Sequence, residues 1–164
     1  MQKLLKALHV LGSAGVLGAL VACLVLDARA ATADPAATAV LRSDIAMLVR
    51  ALLVPSLGLA LFSGLLATAI NSLYHEARWV WLKAGLGLAI FEGTLFSVGA
   101  GARRAAELAA AAAAGQVVSV ELQQVLRTQT RGLWLLGLVA VASTLLAVWR
   151  PRLRRSVVSS GGSA

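Results

Sequence analysis

The sequence predicts an all-α integral membrane protein, an antiparallel bundle of four spanning helices. Three observations carry that reading. The chain is 59% hydrophobic with a mean hydropathy of +0.84, more apolar surface than one soluble core of 164 residues hides. Charged residues make up 13% of it, roughly half the share found in soluble domains. The apolar residues also fall into four blocks, each close to the roughly 20 residues that span a bilayer core.

The first block, ALHVLGSAGVLGALVACLVL, covers residues 7–26 and carries no formal charge. ALLVPSLGLALFSGLLATAI follows at 51–70, AGLGLAIFEGTLFSVGAGA at 84–102 and GLWLLGLVAVASTLLAVW at 132–149. The third contains Glu92; the others lack Asp, Glu, Lys and Arg. In lipid, backbone groups must pair within the segment, so helices follow. Amphipathic helices of a soluble bundle would need a polar face, which these blocks lack.

The helices are expected to outrun the membrane, over 3–30, 43–73, 78–114 and 119–150. Ser43-Asp44 reads as an N-cap before the second, and Ser119 with Glu121 as one before the fourth. The alanine run Ala105–Ala114 extends the third helix until Gly115 stops it. Pro55 is positioned to kink the second. Residues 1–155 then form one transmembrane domain, and the small, polar end of the chain, 156–164, reads as a disordered tail.

Lys and Arg in the flanks set orientation. Their totals on the two sides are nearly equal, so concentration decides: RPRLRR directly follows the last span. Both termini are therefore expected in the cytoplasm. Trp79, Trp81 and Trp149 then form one interfacial belt, with Trp134 at the other face. A rival reading makes Lys3, Lys6 and the first apolar run a signal peptide cut after Ala28-Arg29-Ala30, or a lipobox with Cys23 lipidated. The apolar run continues past Cys23 through Leu26, which favours an uncut first helix. The net charge of +8 does not indicate nucleic acid, because the basic residues lie between apolar runs and not along one soluble face. The single cysteine excludes an internal disulfide.

Lipid-embedded helices meet through small residues. Ser56, Ala60, Gly64 and Thr68 repeat every four residues in the second helix. Gly85, Ala89, Gly93, Ser97 and Gly101 do so in the third; Gly137, Ala140, Thr144 and Ala147 line the fourth. Gly12, Gly15 and Gly18 serve the first. Glu92 lies seven residues after Gly85, about 700° around a helix, and so is expected on the small stripe facing the bundle, near Ser63. It is the candidate proton or ligand site. His9 and Lys83 stand at similar depth in parallel helices, with Thr68, Asn71 and two tryptophans at the same level. That group reads either as an interfacial belt or as a cofactor pocket, with His9 the metal ligand, Gly12 leaving room for a flat ring and Lys83 holding an anionic group. His75 could reach the same place.

KLLKALHVLGSAGVLGAL resembles the opening helix of a bacterial superfamily whose first helix begins K-x-L-H followed by small residues. VPSLGLALFSGLLATAI and WVWLKAGLGLAIF resemble its second half, with a proline and a later glycine in helix two, then W-L-x-K opening helix three. The superfamily holds CopD-type copper-resistance proteins, HemJ-type protoporphyrinogen oxidases and uncharacterised predicted integral membrane proteins. The chain is most like the last group, over about residues 3–98. The resemblance implies the bacterial plasma membrane. For the HemJ-type members it implies haem b, with His9 and Lys83 as the matching functional pair and a redox, porphyrinogen-type activity if the chain is an enzyme. Copper transport fits badly, since Met1, Met47, Cys23, His9 and His75 are scattered. Three readings remain open: a haem- or porphyrin-binding membrane protein; an accessory bundle, homo-oligomeric or bound to a membrane partner; and a proton- or ion-linked carrier using Glu92.

Overall fold

The computed structural model describes residues 2–70, 85, 87, 88 and 90–148. Among the described residues the chain forms four helices and no strand. Helix α1 is Gln2–Ala30. Helix α2 runs without a break over 35–69: an α-helical part Pro35–Leu48, a widened π turn Val49–Leu53, and a second α-helical part Val54–Ala69. Helix α3 is described continuously over 90–113, with a π stretch Thr94–Gly99 before the α-helical part Ala100–Ala113. Helix α4 is Ser119–Val148.

The second helix begins at Pro35 and not near Ser43. The Asp34 side chain accepts the Ala37 N–H at 2.9 Å, and Pro35 fills the first helical position. That position has no intrahelical partner for its N–H, so proline costs nothing there and its fixed φ suits the helix. Pro55 produces a widened turn just before it: the Val54 N–H bonds the Val49 carbonyl, five residues back. A proline ring clashes with the carbonyl four residues earlier, and a wider turn relieves that clash.

Between α3 and α4, Gly115 adopts φ +84°, the left-handed conformation that favours glycine. Gln116 N–H bonds the Ala111 carbonyl and Gly115 N–H that of Ala112, both at 3.0 Å, which closes α3 as a Schellman motif. The first bond of α4 runs from Leu122 N–H to the Val118 carbonyl at 2.9 Å, so Val118, not Ser119, flanks that helix.

The helices close a ring, α1 against α2, α2 against α3, α3 against α4 and α4 against α1. Val16, Ala19, Leu20 and Cys23 of α1, Ile45, Val49 and Leu53 of α2, Val98 and Ala102 of α3, and Leu133 and Leu136 of α4 form the core. That core uses few of the apolar side chains. The segments Lys3–Ala30 and Pro35–Ala67 are long and apolar enough to cross a membrane, yet only 28% and 22% of their most apolar windows are buried. Val10, Phe62 and Leu138 are about two-thirds exposed. A soluble bundle would turn such surface inward; here lipid is its solvent.

The contact faces differ from expectation in α3. A Cβ added at Gly85, Gly93 or Gly101 would meet nothing within 4 Å, and the same holds for Gly18 and Gly137. The face of α3 that is buried carries Thr94, Val98, Ala102, Ala105 and Ala109. Methyl-bearing small side chains offer contact surface to a neighbour, whereas a glycine earns its place only where backbones nearly touch.

Candidate functional site

Backbones nearly touch where α1 crosses the second half of α2. A Cβ at Gly12 would lie 2.6 Å from the Ala60 nitrogen and 2.9 Å from the Ser56 carbonyl oxygen. Gly15 faces the Ser56 side chain just as closely. The small stripe of α2 is thus a true seam, and Gly12 is filled against it. This corrects the expectation that Gly12 leaves room for a flat ring: backbone of α2 occupies that space.

His9 sits at the rim of this seam. Its Nδ1 is 2.8 Å from the Ala60 carbonyl oxygen, and its ring touches the Gly64 position, where a Cβ would lie 3.3 Å from Cε1 and Nδ1. A carbonyl oxygen only accepts, so Nδ1 carries a proton in this contact, and in the neutral imidazole Nε2 would be the nitrogen with a free lone pair. The side chain is exposed at the bundle surface. Lys83, Asn71, His75, Trp79 and Trp81 of the polar group expected around His9 lie outside the described residues.

Glu92 does not face the bundle. It is exposed, next to Gly93, where an added Cβ would meet nothing within 4 Å among the described residues. Buried Ser63 donates to carbonyls of its own helix, Leu59 at 2.5 Å and Ala60 at 3.2 Å, and not to Glu92. The glycine stripe of α3, which carries Glu92 with it, looks outward, and the inner face is that of Thr94, Val98 and Ala102.

A polar cluster that sequence reasoning assigned to the flanks stands at the other end of α1. The Asp27 carboxylate accepts from Arg42 Nη1 through Oδ1 and from the Thr130 hydroxyl through Oδ2, the latter at 2.9 Å. Three helices are thereby tied at one residue. The pair is withdrawn from solvent, with side-chain exposures of 12% for Asp27 and 4% for Arg42. Arg42 Nε is buried without a hydrogen-bond partner among the described residues, as are both polar atoms of Gln129. A groove of about 930 Å³ opens beside the cluster, bounded by Asp27, Arg42 and one face of α4. The signal was readable: Asp27 continues the buried α1 stripe Val16, Leu20, Cys23, and Arg42 starts the α2 stripe Ile45, Val49, Leu53. Beyond the core, Arg104 of α3 pairs with Glu121 of α4 at 2.6 Å and with Glu107 at 3.3 Å. Its hydrogen bonds to the Glu121 carboxylate first and the Glu107 carboxylate second raise its pKa.

Among the described residues no three His, Cys, Asp or Glu side chains gather as a metal cage. Outward apolar helices and a glycine-packed seam define the class: an all-helical integral membrane protein. The family model "Predicted integral membrane protein (DUF2269)" matches residues 3–151, and the chain belongs to that family. No curated protein and no solved structure matches the chain.

Proposed function

We propose that this membrane protein binds haem b, or a closely related porphyrin, through Nε2 of His9. The observation that carries the reading is the hydrogen bond from His9 Nδ1 to the Ala60 carbonyl at 2.8 Å. A backbone acceptor on one ring nitrogen fixes the tautomer, orients the ring and makes the other nitrogen a better metal ligand. An exposed imidazole on a lipid-facing helix is otherwise expensive, which also argues for a ligand. Kinship with the CopD- and HemJ-like superfamily, suggested by the K-x-L-H opening and W-L-x-K, points the same way. In this reading Lys83 neutralises a propionate. Because α2 fills the Gly12 side, Gly12 would not take part in holding the group. If bound, the group would supply redox chemistry, and the chain would supply His9 as ligand, oriented by the Ala60 carbonyl, and an apolar surround.

The same reading places the protein in the bacterial plasma membrane with both termini cytoplasmic, supported by the RPRLRR tail. C-terminal reporter fusions test that orientation, and periplasmic activity would sink it. Haem binding is tested by the absorption spectrum of protein purified from haem-supplied cells. A Soret band should be present, abolished in His9→Ala and retained in Glu92→Gln. Colourless protein, or a spectrum that survives His9→Ala, overturns the reading.

A further inference from the structure

The groove beside Asp27 has a composition that the haem reading does not use. Arg127 and Arg131 stand one turn apart on the face of α4 that borders it, both exposed and without an ion-pair partner among the described residues. Trp134, Leu135 and Leu138 continue the same face, each more than 60% exposed. Arg42, buried and with its Nε unpartnered, forms part of the wall. Three guanidinium groups and one carboxylate thus line the groove, and that carboxylate is already engaged by Arg42 and Thr130. The uncharged run of α4 begins at Gly132, so the arginines stand where lipid headgroups lie and the Trp134 face stands below them. Arg127 to Leu138 covers about 16 Å of helix, long enough to carry much of an acyl chain.

We propose that this groove holds one anionic phospholipid, its phosphate on Arg127 and Arg131 and an acyl chain along Trp134, Leu135 and Leu138. A planar guanidinium donates two parallel hydrogen bonds to phosphate oxygens, and a pair of them one turn apart brackets a single phosphate. Arg42 and Asp27 offset each other in the wall, so the net positive charge there is that of Arg127 and Arg131. A free inorganic anion would use the arginines and leave the apolar strip without a role; a zwitterionic lipid would use the strip and leave the excess positive charge uncompensated. Both headgroup and tail are matched by an anionic phospholipid.

Trp134 reports on this site directly. In full-length protein carrying Trp79→Phe, Trp81→Phe and Trp149→Phe, Trp134 is the remaining tryptophan. The protein is placed in phosphatidylcholine bilayers doped with a minor fraction of acyl-brominated phosphatidylglycerol, or the same fraction of acyl-brominated phosphatidylcholine. Bromine quenches the indole at contact. Phosphatidylglycerol should quench preferentially, and Arg127→Gln with Arg131→Gln should lower that preference on the order of twentyfold, about fivefold per arginine. Quenching by brominated phosphatidylcholine should be unchanged in the double variant, which shows that the fold and the strip remain. Equal quenching by the two lipids in the parent overturns the proposal, as does a preference that survives the double variant. Relief of quenching by inorganic phosphate, but not by chloride of equal ionic strength, would mark a site for soluble anions and overturn the lipid assignment.

Discussion

The two ends of α1 are held to α2 in opposite ways. Near His9 the helices approach closely, Gly12 against the backbone of Ser56 and Ala60 and Gly15 against the small Ser56 side chain. Near Asp27 they are joined by a long Arg42 side chain and a shared carboxylate. The first contact rests on shape and dispersion and tolerates no added atom. The second rests on charge and tolerates no lost partner. In lipid, where apolar burial between helices gains little, these are two separate means of fixing a crossing.

The largest effect should come from unbalancing the charged end. Asp27→Ala leaves Arg42 buried without its anion and should destabilise the bundle by about 3–5 kcal/mol. Thermal unfolding in mild detergent measures it. Adding Arg42→Met should recover much of the loss, since the buried charge goes with it; a double variant as unstable as Asp27→Ala would show that the pair matters for more than its charge.

Next is the glycine seam. Gly12→Ala places a methyl 2.6 Å from Ala60 backbone nitrogen, and the helices must part, at a cost of about 1–3 kcal/mol. Gly93→Ala, in open space, should be neutral or stabilising by up to about 1 kcal/mol through helix propensity. If the two substitutions behaved alike in the same unfolding assay, the distinction between seam glycines and outward glycines would fail. The smallest effect belongs to Glu121→Gln. Its partner Arg104 is exposed, so the melting temperature should stay within experimental error at physiological salt.

Run length and apolarity made the helices legible, because the bilayer imposes both. The start of α2 was equally readable in Asp34-Pro35, but the later Ser43-Asp44 pair competed for the role and both residues lie inside the helix. Faces were harder. Small-residue repeats marked the seam correctly in α2, where Ser56 and Ala60 meet Gly12, and misled in α3, where glycines and Glu92 look outward. A four-residue repeat gives a helix a smooth stripe but does not say which neighbour uses it. The Asp27–Arg42 pair was hidden for another reason: charges at the end of an apolar run look like solvated flanks, and only their phase with the buried stripes separates them from Arg29 or Arg50. His9 stood out because an imidazole in an apolar run has few uses, but its partner, a carbonyl 51 residues away, has no sequence signature.

The crossing near His9 behaves mechanically as a notch and pawl. Gly12 lies in a notch formed by Ser56 and Ala60, and the imidazole catches the Ala60 carbonyl one turn away. Sliding α1 along α2 by one turn, about 5.4 Å, would drive a side chain into the notch and break the catch. Tilting about the notch leaves the notch and the catch in place and loads the far end of the helix instead. Helix α1 is then a lever on a fixed fulcrum, and Asp27 rides about 22 Å up the long arm from Gly12. A few degrees of tilt displace Asp27 by more than an ångström, enough to separate a carboxylate from Arg42 and Thr130, while His9 scarcely moves.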